Sequence, residues 1–159
     1  MPSAGRAAVE SCPAFRRRLL VRNGRAMPKT RKPNTTRKPP VPSDNHADIE
    51  DWLRRVMPDL HPVVKRLDEL IRETIPGLQY AIKSKRAYYG LPKLGWIIEM
   101  VAYDVSVNVL FLGGAKFDPP PPLGTTGRTR YVKVKTLEEA QGPEMHKWME
   151  QAGRVAGWK

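Results

Sequence analysis

The chain has 159 residues, of which 40% are hydrophobic, and it carries a formal net charge of +12 at pH 7. This length fits one domain with a tail. No apolar run reaches the roughly 18 to 20 uninterrupted residues that a membrane-spanning helix needs, so we expect no membrane association. Cys12 is the only cysteine, which excludes an intrachain disulfide and is typical of a cytoplasmic protein.

The positive charge is concentrated in the N-terminal third. Residues 1–47 carry 11 Lys and Arg against 2 acidic residues, whereas residues 48–159 carry 17 against 14. Because it has few large apolar side chains, the segment 1–45 is predicted to be a disordered basic, Pro-rich tail, followed by a domain over residues 46–159. The tail fits a nucleic-acid-binding arm, an organelle-targeting peptide or, for residues 1–26, translation upstream of a true start at Met27. We favour the last interpretation.

Two helices are predicted at the start of the domain. Ile49, Trp52, Leu53 and Val56 recur with helical spacing, and Pro58 ends this helix. A second helix begins near Pro62 and ends at Pro76-Gly77. Asp68 and Arg72 are predicted to pair on its wet face. The second helix has its own apolar stripe: Val63, Leu67, Leu70, Ile71 and Thr74.

A run of strands follows. "LQYAIKSKRAYYGLP" is rich in β-forming residues, and "GWIIEMVAY" and "VSVNVLFLGG" predict a hairpin around Asp104. Two inward faces are predicted: Trp96, Ile98, Met100 and Ala102, and then Val105, Val107, Val109 and Phe111. The opposite faces are also largely apolar, so both need a cover of helices, a loop or another subunit. This motivates the hypothesis of a self-associating structural protein, a homodimer being the simplest form.

The C-terminal third predicts one more strand and two helices. "TRYVKVK" alternates, with Val132 and Val134 inward. Thr136 and Glu139 form a capping box for a short helix, and Pro143 opens a last one. The predicted fold class is therefore α+β, a single domain in which N- and C-terminal helices pack on an antiparallel sheet.

The stretch "GGAKFDPPPPLGTTGRTRYVKVK" raises the possibility of a phosphate-binding loop. "GTTGRT" lacks the Lys-Ser/Thr pair and leads into a strand rather than a helix, so a P-loop is rejected. The tetraproline is predicted to be a stiff surface crossover between core strands rather than a docking peptide. Gly124 and Gly127, with Arg128 and Arg130 beside them, would suit a bound anion, but a simple turn is the preferred interpretation.

Three phrases resemble the YdhG-like domain family, a bacterial family of unknown function. They are "YAIKSKRAYYGLPKLGWIIEM", "VNVLFLGGAKFDPPPPLGTTGRTRYVKVKTLEEA" and "WMEQAGRVAGW", and the resemblance spans roughly residues 48–158. It implies a compact α+β fold. Some members are labelled frataxin-like iron chaperones, which implies metal delivery. This chain has Asp104, Ser106 and Tyr131 where some relatives have basic residues or histidine, which puts a function based on those side chains in question here.

The residues give metal binding and catalysis little support. His46, His61 and His146 match no zinc spacing, and the carboxylates of the first two helices are typical of solvated helix faces. No nucleophile is paired with a base, and no histidine has an evident orienting carboxylate. We therefore predict a non-enzymatic binding or accessory module without a cofactor or a metal site.

Glu99 is the unusual polar residue of the sequence, because it lies among apolar neighbours in a strand. If its face is buried it needs a partner, for which Lys83 and Arg130 are the candidates. A ligand-binding pocket is predicted around Lys83, Tyr89, Glu99 and Arg130, its ligand an unidentified small molecule or a metal. In this hypothesis Glu99→Gln abolishes ligand binding and leaves the fold nearly intact.

Nucleic-acid association is the alternative function. Aromatic and basic side chains interleave between Tyr80 and Tyr89, as they do in single-strand binders. Such a surface would act together with the basic tail, and its binding would depend steeply on salt. The residues predicted to contact the anion or nucleic acid are Lys85, Arg86, Tyr88, Arg128 and Lys133.

Overall fold

A computed structural model describes residues 38–124 and 127–159, and residues Pro39–Lys159 form one compact unit. The predictions for the tail therefore fall mostly outside the described residues. The helices are α1 (Ala47–Arg55), α2 (His61–Thr74), α3 (Leu137–Ala140) and α4 (Pro143–Ala152), with short 3-10 turns at Pro58–Leu60 and Gly114–Lys116. The strands are β1 (Gln79–Lys83), β2 (Arg86–Leu91), β3 (Gly95–Ala102), β4 (Val107–Phe111) and β5 (Arg130–Val134). None of the helices described is long and apolar enough to cross a bilayer.

The predicted α+β class is confirmed. The five strands form one antiparallel sheet in the order β1-β2-β3-β4-β5, so that each strand pairs with its neighbour in the sequence. The apolar stripes of the helices and one face of the sheet form a continuous core. Leu67 and Ile71 of α2 are both fully buried there. Each such side chain contributes roughly 1.5–3 kcal/mol to folding through the apolar surface it removes from water.

The helix ends follow the local sequence signals. α1 ends at Arg55, just before Pro58 begins a 3-10 turn. The N-cap half of the predicted capping box is present, because the backbone N–H of Glu139 donates to the Thr136 hydroxyl at 3.2 Å. The Glu139 carboxylate accepts in return from the backbone N–H of Lys135 at 3.0 Å. The first bond satisfies a donor that the start of α3 leaves unpaired, whereas the second is made to the residue before the N-cap and not to Thr136 itself, as it would be in a complete capping box.

The predicted inward face of β3 is wrong at Trp96, because the strand contains a β-bulge. The register passes from Tyr89↔Ile98 to Gly90↔Trp96, so β3 holds one extra residue, Ile97. A bulge changes the alternation of side chains at that point. Ile98 and Met100 therefore face the helices as predicted, whereas Trp96 lies in a separate cluster on the other side.

The predicted inward face of β4 needs a smaller correction. Val107, Val109 and Phe111 are fully buried, as the alternation indicates. Val105 is 73% exposed because it lies in the turn between β3 and β4, where the Tyr103 N–H donates to the Ser106 carbonyl at 2.8 Å. The interpretation of Asp104 as a hairpin residue is thus confirmed.

The other side of the sheet, called the second face below, carries a mixed set of side chains. By the strand register and alternation it comprises Ala81, Lys83, Arg86, Tyr88, Trp96, Glu99, Val101, Asn108, Leu110, Tyr131 and Lys133. One end of this face is covered by neighbouring segments. Trp158 pairs with Trp96, whose indole N–H donates to the Pro40 carbonyl at 3.2 Å. Val101, Leu110 and Tyr131 are only half-buried.

The proline-rich connection between β4 and β5 is attached to α4. The Trp148 indole N–H donates to the Pro119 carbonyl at 2.9 Å, and Gln151 accepts from the backbone N–H of Asp118 at 2.8 Å. The segment therefore crosses the surface of the domain as predicted. Thr125 and Thr126 of the turn that follows lie outside the described residues.

Candidate functional site

Glu99 is buried, as predicted, but its partner differs from both predicted ones. Its side chain is 5% exposed and accepts a hydrogen bond from an Arg86 Nη1 at 2.7 Å. The Tyr88 hydroxyl donates to the same carboxylate oxygen at 3.3 Å. The hydrogen bond with Glu99 raises the pKa of Arg86, against the opposing effect of partial burial. Arg86 is the partner because it lies on the neighbouring strand and on the same face.

The predicted pocket around Lys83, Tyr89, Glu99 and Arg130 is not assembled as one site. Lys83 and Glu99 lie on the second face, whereas Tyr89 points into the helix-covered core. Arg130 pairs in register with core-facing Phe111, so it also lies on the helix side of the sheet. Its guanidinium donates to the carbonyls of Gly127 at 3.1 Å and Thr129 at 2.9 Å.

Tyr89 instead belongs to a buried polar cluster around Asp68. The Tyr89 hydroxyl donates to Asp68 Oδ1 at 2.7 Å, and Arg72 Nε donates to Oδ2 at 3.0 Å. His46 Nε2 lies 2.9 Å from Oδ1. Burial raises the pKa of Tyr89 well above 10, and the neighbouring negative charge of Asp68 adds to the rise.

This cluster corrects two sequence interpretations. The Asp68 and Arg72 side chains do pair, but Asp68 is only 1% exposed and does not lie on a wet helix face. His46 does have an orienting carboxylate, supplied by a residue 22 positions away. Sequence spacing gave no signal for this contact. The cluster ties α2 and β2 to the residue before α1 and leaves the Asp68 carboxylate with three partners.

The residues predicted to bind an anion or nucleic acid are divided between the second face and two turns. Arg86, Tyr88 and Lys133 lie on the second face. Tyr88 is fully buried, so its ring offers no stacking surface. Lys85 lies in the β1–β2 turn and Arg128 in the loop before β5, and both are exposed.

The described residues also form a groove that sequence reasoning missed, here called the hairpin groove. It has a volume of about 720 Å³ and lies between α1 and the ends of the two hairpins. One wall comprises Asp48, Asp51, Trp52, Arg55, Val56 and Met57. The other comprises Ile82, Lys85, Ala102, Tyr103 and Asp104. Its apolar surface is accessible, because Met57 is 48%, Ile82 37% and Tyr103 51% exposed.

The turn between β1 and β2 forms part of this groove in a strained conformation. Ser84 and Lys85 have φ values of 53° and 62°, the left-handed region that two-residue hairpin turns usually fill with Asn-Gly. Two such residues cost of order 1–3 kcal/mol each and persist only where surrounding contacts impose them. Here the Trp52 indole N–H donates to the Lys85 carbonyl at 2.8 Å. The contact with α1 thus holds Lys85 beside the groove.

No protein-family model, curated protein or solved structure matches this chain. Metal delivery, which the resemblance to YdhG-like domains implies, finds no ready site in the part of the chain described. No group of three or more His, Cys, Asp or Glu side chains there could hold an ion.

Proposed function

We propose that this chain is a non-catalytic binding domain and that the hairpin groove is its ligand site. The observation that carries the proposal is the groove itself, with a volume of about 720 Å³ and with exposed apolar side chains on both walls. Small-molecule sites are concave, mostly apolar and of roughly 300–1,000 Å³, with a few polar groups that fix orientation. The strained Ser84-Lys85 turn supports the same location, since strain of this kind clusters at ligand sites.

The ligand class follows from the side chains of the groove. Met57, Ile82 and Tyr103 offer apolar contact to a compact hydrophobic body. Arg55 and Lys85 can bind an anionic group, and the carboxylates of Asp48 and Asp104 can bind a cationic one. Asp51 is already paired with Arg54. The proposed ligand is therefore a small amphipathic molecule with at least one charged group.

Glu99 has a structural role in this proposal. Its carboxylate already has Arg86 and Tyr88 as partners within the domain, and the hairpin groove does not include it. The ligand site predicted around Glu99 is therefore replaced in this proposal by the hairpin groove. Glu99→Gln is then expected to leave ligand affinity unchanged.

Three broader proposals accompany this one. Membership of the YdhG-like domain family rests on the order of the three resembling phrases, and a cytoplasmic location rests on the single cysteine.

Self-association through the half-buried apolar residues of the second face is a hypothesis that sedimentation velocity tests directly. A monomer at all concentrations would remove it.

Two fluorescent probes test the groove. Anilinonaphthalene sulfonate has an apolar body and a negative charge, and thioflavin T has an apolar body and a positive charge. We expect at least one of them to bind the full-length chain at a single saturable site. Tyr103→Ser and Ile82→Thr should each weaken that binding at least several-fold, because each removes exposed apolar contact from the groove.

The matched control is Leu137→Ser. Leu137 is 41% exposed, similar to Ile82, but lies on α3 and does not line the groove. The control variant should bind the probe as the unsubstituted chain does. Equal losses in all three variants, or no loss in the two groove variants, would contradict the proposal. The thermal unfolding midpoint of each variant establishes that its fold is intact.

A further inference from the structure

We infer that the second face binds a single strand of nucleic acid laid across the β-strands. This inference is independent of the hairpin groove and would survive its failure. The register places Lys83, Arg86, Val101, Asn108 and Lys133 side by side, one from each strand. Side chains of one cross-strand row point to the same face. The row therefore holds three basic side chains and an amide.

The charge of the sheet favours a polyanion. Glu99 is the only acidic residue in the five strands, and its carboxylate is buried against Arg86. Lys133 is exposed, and Lys83 and Arg86 are partly exposed. The strands thus present positive charge with no exposed carboxylate among them. Basic residues on such a surface gain affinity by releasing counterions from phosphates.

A second row provides contacts for bases. It runs parallel to the basic row and comprises Ala81, Tyr88, Glu99, Leu110 and Tyr131. Leu110 and Tyr131 are half-buried and leave part of their apolar surface accessible. Bases stack on aromatic side chains of this kind in single-strand binders, while the phosphates follow the neighbouring basic groups. The basic row can thus contact phosphates while Leu110 and Tyr131 of the second row contact neighbouring bases.

The dimensions also fit a strand rather than a compact ligand. Four spacings between adjacent strands separate Lys83 from Lys133, which is roughly 19 Å. At about 3.4 Å per phosphate along a stacked strand, this length holds roughly five nucleotides. A single small anion would contact only one or two of the basic groups.

The test measures fluorescence anisotropy of a labelled single-stranded oligonucleotide with the full-length chain over a salt series. The double variant K83Q/K133Q removes two basic groups from the second face. The matched control K65Q/K147Q removes the same charge from exposed positions on α2 and α4. Both variants keep the basic tail, so any binding by the tail is common to them.

We expect K83Q/K133Q to weaken binding and to reduce the slope of log K against log salt by about 1.4, at roughly 0.7 per phosphate contact on a single strand. K65Q/K147Q should change neither quantity. Tyr131→Leu should weaken binding to the oligonucleotide but not to an abasic strand of equal length. Circular dichroism and the unfolding midpoint monitor the fold of each variant.

Two results would overturn the inference. If the two double variants weaken binding equally, the binding is due to the tail or to the net charge of the chain and not to the second face. Displacement of the oligonucleotide by polyglutamate at matched charge would show that the face binds acidic chains in general. A loss confined to K83Q/K133Q, with resistance to polyglutamate, would support the second face as a nucleic-acid site.

Discussion

The Arg86–Glu99 pair permits a quantitative test of how the second face is held together. Glu99 is buried to 5% exposure, and Arg86 reaches it at 2.7 Å with a side chain that stays 36% exposed. Removal of Arg86 leaves a buried carboxylate that has, among the described residues, only the Tyr88 hydroxyl as a donor. Breaking a fully buried ion pair in this way costs about 3–5 kcal/mol of stability. Because Arg86 is partly exposed to water, we expect a value at the lower end, about 3 kcal/mol, for Arg86→Met.

A double-mutant cycle separates the pair from its surroundings. Glu99→Gln alone should cost about 1.5 kcal/mol, since the amide oxygen still accepts from Arg86 but the charge is lost. The double variant should cost less than the sum of the single variants, because no buried charge remains unpaired. We expect a coupling energy of about 2 kcal/mol, within the range for a hydrogen bond between charged groups.

The assay is urea unfolding at pH 7, followed by tryptophan fluorescence, with the free energy taken by linear extrapolation. The control is the same cycle on Arg66 and Glu69, which lie 3.4 Å apart and are 32% and 36% exposed. That exposed pair should couple by less than about 0.5 kcal/mol. A coupling for Arg86 and Glu99 as small as that of the control would refute the reasoning.

Three other predictions concern stability. Because the pKa of Tyr89 is raised in the fold, the contribution of Tyr89 to stability should be constant below about pH 10 and fall as the pH rises further, by up to about 1.4 kcal/mol per pH unit. Tyr89→Phe should remove part of this slope in urea titrations between pH 8 and 11, and an unchanged slope would exclude Tyr89 as its source. Gly157→Ala should lower the thermal unfolding midpoint strongly, because the added Cβ would lie 1.9 Å from the Trp96 carbonyl oxygen. The control is Gly142→Ala, where the added Cβ would lie 3.6 Å from its nearest neighbour, the Glu139 carbonyl oxygen; equal midpoints for the two variants would contradict this. Asn108→Val should leave stability unchanged or raise it by about 1 kcal/mol, because the buried Asn108 Oδ1 has no hydrogen-bond partner among the described residues. A loss above that amount, measured by urea unfolding, would show that the amide has a partner in solution.

The candidate sites show which contacts residue spacing can predict and which it cannot. Glu99 could be singled out from its apolar neighbours alone, and the need for a basic partner followed from the cost of burying a charge. The identity of that partner could not be predicted, because it depends on which strand lies beside β3 and in what register. For Asp68 the i,i+4 spacing does predict Arg72 as a partner, whereas Tyr89 of β2 and His46 before α1 could not be predicted.

The hairpin groove was not predictable for a different reason. Its walls come from α1 and from two separate hairpin ends, and no spacing rule links these segments. Lys85 was predicted to contact an anion or nucleic acid, and it is exposed in the β1–β2 turn. Its position beside the groove depends on a positive φ and on the Trp52 contact, neither of which a Ser-Lys pair signals.

The sequence by itself determined the local elements and the α+β class of this protein. Helical and alternating periodicity, Pro58, Pro143 and the capping box at Thr136 and Glu139 are properties of neighbouring residues, and local physics decides them. Only the tertiary structure decided which side chains meet. The bulge that turns Trp96 to the second face and the pairing of Arg86 with Glu99 both depend on inter-strand register. Register depends on contacts between residues that are distant in the chain, so patterns of neighbouring residues do not predict it.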